Sequence, residues 1–548
     1  MPMGKRMRNF LCLILVAGLL TGCGLQTMIQ EQLEQKVQQL VQQQNVDAVV
    51  AYKDMEYTRP DMETLNGTLE AACEASKGTD LEAVLEGINR FYDAYDNFYT
   101  NYMLADIRYS GDLTDTTWEE EYRFCSENSV TVDAGLDELY GALAQSPCRE
   151  KLEAEEYFGA GFFDPYEGSS GWDAELTSLM ERESRLQNRY YQLSEEALDY
   201  EYGTEEYFAA CGDEMVELLV ELIAVRQEIA AYWGYGDYTS FASDFYYSRD
   251  YTTAQTRNYL EQIRQELVPL YRKMNEITDW ESLWQEQTEE ETYAYVRDMA
   301  QAMGGRVAAS FDVMDRAGLY DIAYGENKYN SSFEVYLNSY YVPFIFMNPS
   351  RTTYDFFTFA HEFGHFCNDY ISYGSYAGTD VTEVFSQGME YLSLCYGENR
   401  EQYVALKMLD CLNLYVEQAA FARFEQEMYG LTGDELTVEN LCALYDRIAQ
   451  DYGFDSIGYD DREFVTMTHY YTNPVYIISY VVSNDASLQL YQLELEQPGQ
   501  GLQRLQDNLD TTCATLMEFL DVMGLESPFA SGRLEAVRKT LESALLGY

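Results

Sequence analysis

The stretch Ala360-His361-Glu362-Phe363-Gly364-His365 decides how this chain is read. On an α-helix, positions 361 and 365 lie one above the other on the same face. Two imidazoles placed in this way can grip one Zn²⁺, with Glu362 beside the water that the metal activates. The sequence of 548 residues contains three histidines, and two of them are His361 and His365. A chain that used histidine structurally would scatter it. The spacing predicts a helix from about Tyr354 to Tyr370. Asp355 falls in its first turn, where a negative charge suits the helix dipole. Phe356, Phe357, Phe359, Phe363 and Phe366 predict burial on most sides, and a dry wall strengthens electrostatic effects at a metal.

A hydrolytic zinc site usually has three protein ligands and one open position. Asp369 follows His365 by four residues, which puts it roughly 6 Å further along the helix axis and out of easy reach of a shared ion. Cys367 points to nearly the opposite side and reads as core. The next helix, from Thr379 to Glu390, offers Asp380, Glu383 and Glu390. Before the zinc helix, Phe333 to Leu337 and Val342 to Met347 read as strands. Pro343 marks the second as an edge or an irregular end. A sheet edge beside a zinc helix is where an extended peptide can add itself as a further strand. Downstream, Asn473-Pro474 reads as the N-cap and first turn of a helix. Such a helix sets Tyr476 and Tyr480 four apart on one face, just after the third histidine, His469.

Taken together, His-Glu-Phe-Gly-His and the following Glu383-x-x-Ser386-Gln387-x-x-Glu390 resemble the thimet oligopeptidase and oligoendopeptidase F group of zinc metallopeptidases. Further likeness appears at Arg226-x-x-Ile229-Ala230 through Gly234-Tyr235, at Arg249-Asp250-Tyr251-Thr252 and at His469-Tyr-Tyr-Thr-Asn473-Pro474-Val-Tyr476. It spans roughly residues 205–525. The resemblance implies a mainly α fold, with two helical lobes flanking a deep substrate channel and a small β-sheet beside the zinc helix. It implies one Zn²⁺ per chain held by His361, His365 and Glu383, with Glu362 as general base. It assigns His469 and Tyr480 to the oxyanion of peptide hydrolysis, Tyr476 to a close substrate contact, and Glu390 to the family's later glutamate. The activity implied is hydrolysis of short unfolded peptides by an oligoendopeptidase. A carboxy-dipeptidase on the same fold is the main alternative, and a catalytically inactive peptide-binding lipoprotein is the other. The chain departs from the family in a tyrosine-rich region before the zinc helix that lacks the usual glycines. The interval from His365 to Glu383 is also shorter than in thimet oligopeptidase.

The chain begins with Lys5, Arg6 and Arg8 ahead of the apolar run Phe10 to Leu20, which ends in Leu20-Thr21-Gly22-Cys23. The run is short for a membrane span and resembles a bacterial lipoprotein signal in which Cys23 receives the lipid. Lipid is a tether and not a span. The expected location is therefore outside the cytoplasmic membrane, anchored through Cys23. The chain divides into a signal peptide over 1–22, an N-terminal helical region over 23–205 and a catalytic region over 206–548. A helix is expected over 30–52 and another from Glu214 to Ala231, with Thr252 or Thr253 capping a third. Formal charge is −59. Such a surface repels nucleic acid and anionic headgroups and favours cationic partners, basic peptides among them. Outside positions 12 and 23 there are nine widely spread cysteines, read mostly as small buried apolar residues.

Overall fold

The computed structural model describes residues 49–154, 157–167, 172–197, 200, 204–278, 284–374 and 377–547. The signal peptide, the lipid site at Cys23 and most of the helix expected over 30–52 lie outside these residues.

Three helices open the described chain: α1 (Met62–Ser76), α2 (Leu81–Gly111) and α3 (Thr116–Ala144). Each begins at an aspartate, Asp61, Asp80 or Asp115, whose carboxylate accepts from first-turn N–H groups, so donors left over by the helix geometry are satisfied locally. The three pack on one another around their own core of Leu65, Phe91, Tyr95, Leu136 and Tyr140. The next long helix, α4 (Ala174–Glu196), lies against α5 (Asp213–Tyr232) and joins a second, much larger core. The expected helix from Glu214 to Ala231 is α5, and Gly234 follows it in the left-handed region. Thr252 caps α6 (Thr253–Glu266) through a capping box with Gln255, each side chain serving the other's backbone.

A three-stranded sheet follows: β1 (Tyr320–Asp321), β2 (Ser332–Leu337) and β3 (Val342–Met347), in the order β1-β3-β2. β2 and β3 are antiparallel, with Phe333 opposite Phe346 and Tyr336 opposite Pro343. β3 is parallel to β1 through Ile345 and Phe346. The strand containing Pro343 is therefore interior, and the edge expected at Val342–Met347 belongs to β2. The reason is that β1 is two residues long, too short to read as a strand. It pairs only the far part of β3, so Pro343 lies past its end and its missing N–H costs no ladder bond there. The N-terminal bundle docks on this sheet region through Asn338 Nδ2 to Asp96 Oδ1 at 3.2 Å and Ser339 N to Thr100 Oγ1 at 2.8 Å.

On the sheet lies α7 (Tyr354–Ser372), the expected zinc helix. Its first turn is anchored by Asp355, which accepts from the backbone N–H groups of Ser350 and Thr352. It packs against α8 (Thr379–Ser393), which in turn packs against the late helix α11 (Ile478–Glu496). Between α8 and α11 in the chain run α9 (Val404–Met428), which also packs on α11, and a single turn, α10 (His469–Thr472). The glycine of the His-Glu-Phe-Gly-His stretch is required by this arrangement. A Cβ on Gly364 would stand 2.5 Å from Ser386 Cα and 2.7 Å from Phe385 O, so only glycine lets α8 approach α7 so closely. Among the described residues, the nine cysteines are free thiols. No described helix is long and apolar enough to cross a membrane.

Candidate active site

One face of α7 carries both histidines, with ring centroids 5.0 Å apart. Because α8 is pressed against α7 at Gly364, Glu383 arrives directly across from them. Its Oε2 is 3.5 Å from His361 Nε2 and its Oε1 is 3.6 Å from His365 Nε2. Donor atoms of these three residues lie within 4.8 Å of one another. Two imidazole nitrogens and one buried carboxylate converging in this way suit zinc by donor type and number.

Two of the ligand candidates, His361 and Glu383, are oriented from behind. His361 Nδ1 is 2.8 Å from Glu390 Oε1, which turns Nε2 toward Glu383. Lys407 Nζ on α9 bonds Glu390 Oε2 at 2.5 Å and Asp410 Oδ2 at 2.6 Å. Glu383 accepts from the Ser386 hydroxyl at 2.9 Å and from the Tyr476 hydroxyl at 2.5 Å. Burial alone would raise the Glu383 carboxyl. The two histidines outweigh it, helped by hydrogen bonds from His365 and Tyr476, and hold it at about 2. Burial opposes the imidazolium of His361, but Glu383, Glu390 and Glu362 outweigh it and leave it at about 9. In Glu362 burial wins. Its pKa is raised against the pull of His361, His365 and the Ser332 hydroxyl, the direction a general base near neutral pH needs.

The other carboxylates raised as third-ligand candidates have other partners. Asp380 accepts from Arg249 Nε at 3.3 Å, from the Tyr251 hydroxyl at 2.6 Å and from the Ser479 hydroxyl at 2.5 Å. It ties the start of α8 to the start of α11. Asp369 lies near the Glu334 carboxyl of β2, whose pKa burial and then the charge of Asp369 push well above its usual range. Cys367 is fully buried, as expected of core.

His469, Tyr476 and Tyr480 come together against this face by a route the sequence did not reveal. No helix begins at Asn473-Pro474. Asn473 ends α10, and α11 starts only at Ile478. Between them Val475 sits at φ +65°, a strained setting for a β-branched residue. Buried partners hold the turn. Val475 N donates to Glu425 Oε1 at 2.7 Å, and the Tyr247 hydroxyl donates to Pro474 O at 2.7 Å. Arg226, fully buried, donates to the carbonyls of Tyr470 and Tyr471 and to Glu183. As a result Tyr476 stacks on His469 with centroids 4.8 Å apart and reaches Glu383, while the Tyr480 hydroxyl lies 2.9 Å from His469 Nε2. Burial pushes His469 down to about 4, so its imidazole is neutral at pH 7. Burial, with Glu383 and Glu362 nearby, pushes the Tyr480 phenol well above its usual range, so it keeps a proton to donate. Lys407 and Glu425 were missed as supporting residues. Neither stands out in the sequence, because α9 also carries Asp410, Glu417, Arg423 and Glu427, and which of these charges is buried shows only once the packing of α9 is known.

Residues 52–169 match the peptidase M3 N-terminal domain. Several solved structures share the whole fold. An oligoendopeptidase F crystallised by microfluidic seeding superposes with a TM-score of 0.79 at 20% identity, over 91% of this chain and 99% of the other. PZ peptidase A with a bound inhibitor gives 0.79 at 19%, over 90% and 99%. An oligoendopeptidase F from Bacillus anthracis gives 0.76 at 21%, over 91% and 98%. Comparison with curated proteins finds no match. The mainly α architecture with a small sheet beside α7 is thus that of oligoendopeptidase F. The resemblance read from motifs over 205–525 holds in the fold, and the N-terminal domain match over 52–169 adds a region where that likeness was weak.

Proposed function

We propose that this chain, built on the oligoendopeptidase F fold with a peptidase M3 N-terminal domain, is a zinc-dependent endopeptidase of short unfolded peptides. The observation that carries the reading is the convergence of His361, His365 and Glu383, with Glu362 on the same helix and His469 and Tyr480 facing them. His361, His365 and Glu383 would hold the zinc, which when bound supplies Lewis acidity toward a water and the scissile carbonyl. Glu362 takes the proton of the attacking water at its carboxylate and returns it to the departing amine. The Tyr480 hydroxyl, released from His469 Nε2, donates to the carbonyl oxygen as negative charge develops there. Neutral His469 both positions that phenol and offers a second polar group. Tyr476 keeps Glu383 oriented, which supports a positioning role in place of the substrate contact expected from sequence. Arg226, Glu425 and Tyr247 hold the strained turn that presents these side chains.

Location outside the cytoplasmic membrane, tethered through lipid on Cys23, is part of the proposal and rests on the sequence of residues 1–23. The deciding experiment is mass spectrometry of a peptide pool digested by the zinc-loaded protein and by Glu362→Gln. The wild type should cut internally, and the variant should retain zinc and fold but lose cleavage. Cleavage surviving within a few-fold in Glu362→Gln would remove the general base. Release of C-terminal dipeptides alone would turn the assignment to a carboxy-dipeptidase.

A further inference from the structure

Four polar residues of α8 form a single stripe. Asp380, Glu383, Gln387 and Glu390 recur at intervals of three and four, so they lie on one helix face. Asp380 receives Arg249, Tyr251 and Ser479, Glu383 faces the histidines, and Glu390 backs His361. Gln387, the uncharged member, is 1% exposed. Its Nε2 donates to the backbone carbonyl of Tyr480 at 3.1 Å. Its Oε1 is shielded from solvent and bonds no group among the described residues. A buried amide with one end unmet is costly, and a hydrocarbon of the same size would leave no side-chain atom unmet at 387. Stability alone therefore does not ask for a glutamine there. The bond it makes falls on the first turn of α11. That helix starts at Ile478 with no side-chain cap, shortly after the strained Val475, so its opening turn needs support from outside. Two ties from α8 supply it: Asp380 to the Ser479 hydroxyl at 2.5 Å, and Gln387 to the Tyr480 carbonyl. They stand on either side of Glu383, one turn before it and one turn after. The Ser483 hydroxyl, 3.4 Å from the same carbonyl, belongs to α11 itself and cannot tie it to α8. Further along, the Tyr391 hydroxyl donates to Asn484 Oδ1 at 2.7 Å and the Ser487 hydroxyl to the Val384 carbonyl at 3.3 Å. Those bonds hold the two helices together whatever stands at 387. What Gln387 adds is the setting of Tyr480. A phenol oxygen stands far from its own Cα, so a small rotation of the turn is magnified at the hydroxyl.

We propose that Gln387 is a positioning residue for Tyr480: its amide clamps the first turn of α11 to α8 and so sets the phenol hydroxyl in register with Glu383 and the two histidines. The inference rests on the peptidase reading above, in which Tyr480 donates to the developing oxyanion. Glu383 and Tyr480 are then fixed to each other through one helix. With the amide gone the turn can rotate, and the hydroxyl leaves His469 Nε2, from which it stands 2.9 Å. A misplacement of about 1 Å at a reacting group costs about 10²-fold in rate, so a partial loosening should cost about tenfold.

Gln387→Met keeps the length of the side chain and removes the amide. Gln387→Leu takes its place should it fold poorly, as melting curves will report. Steady-state kinetics with one peptide are run on zinc-loaded wild type, Gln387→Met, Tyr480→Phe and the double variant. Gln387→Met should lower kcat about tenfold, with KM within about twofold and zinc content unchanged. In the Tyr480→Phe background the same substitution should change kcat by less than about twofold, because the group it sets is already absent. An unchanged kcat in Gln387→Met overturns the proposal. So does a loss of equal size in both backgrounds, which would place the effect on Glu383 or on packing. A second readout needs no turnover. The chain has three histidines, so the ring signals of His469 can be followed by NMR in histidine-labelled protein. Gln387→Met should move the His469 signal toward its position in Tyr480→Phe, and a signal that stays at its wild-type position overturns the proposal. If the wild type cleaves no peptide, the peptidase reading falls, and the His469 signal alone decides whether Gln387 sets Tyr480.

Discussion

The N-terminal bundle and the catalytic face bury carboxyl groups in different ways. In the bundle, Asp133 on α3 is buried, and its hydrogen-bond partners among the described residues are phenols: the Tyr99 hydroxyl at 2.5 Å and the Tyr95 hydroxyl at 3.3 Å. Burial wins over those donors and lifts its pKa to about 7. At the catalytic face, Glu390 is equally buried, but Lys407 and His361 lie against it. Burial is outweighed and its pKa is lowered. Hydroxyl donors make a buried acid tolerable by letting it stay protonated near neutral pH; a cation keeps it charged. A charged acid is what the back of a metal-ligating histidine calls for, because it fixes the tautomer and makes the ring a better donor.

Breaking the ionic side of this contrast should have the largest effect. Lys407→Met leaves Glu390 and Asp410 buried together without their shared ammonium, and loss of one partner of a buried pair costs about 3–5 kcal/mol. Urea unfolding should show that loss, and a zinc titration should show affinity weakened by about 10- to 100-fold through His361. A destabilisation below 1 kcal/mol with unchanged zinc affinity would mean that Lys407 does not hold Glu390 charged.

Next in size is the contrast between two phenols. Tyr480→Phe should lower kcat by about 10²- to 10³-fold with KM little changed and zinc retained, as for a donor used only in the transition state. Tyr99→Phe, in the bundle, should cost about 1 kcal/mol of stability and leave turnover as it was. Steady-state kinetics and melting curves on the two variants decide the matter. A Tyr480→Phe protein with full activity and a lowered melting point would place both phenols in the same structural class.

A third contrast is a pH dependence in the bundle. In the folded protein Asp133 holds its proton to about pH 7, whereas in the unfolded chain it loses it near 3.9. Its contribution is therefore complete below about pH 4, declines as the pH rises toward 7 and is flat above. Asp133→Asn should flatten the stability profile between pH 4 and 7, by up to about 4 kcal/mol from that pKa difference, while the amide's unmet donors shift the whole profile without changing its slope. Chemical denaturation at pH 4.5 and pH 8 on both proteins measures it. Profiles with the same slope would show that Asp133 ionises freely in the folded state.

Sequence alone determined what depends on near neighbours in the chain. The pairing of His361 with His365 follows from helical spacing, the cap at Thr252 and the first-turn charge at Asp355 from side-chain chemistry at a helix start, and the end of α5 from Gly234. The motif set also carried enough pattern to indicate the fold. Spacing left three carboxylates on α8 open and the family resemblance named Glu383; the tertiary structure supplies the physical reason why that one faces the histidines. Asp380 is taken by Arg249 and Tyr251, and Glu390 lies behind His361 because Lys407 is there to receive it. Tertiary structure decided that Pro343 is interior, since a two-residue β1 is invisible to any periodicity. It also decided that Tyr476 and Tyr480 reach the site from a strained turn at Val475, not from one continuous helix. That turn is held by Arg226, Tyr247 and Glu425, residues far away in the chain. Local rules extend over a few residues, while these choices depend on which distant side chain reaches a buried group first and satisfies it.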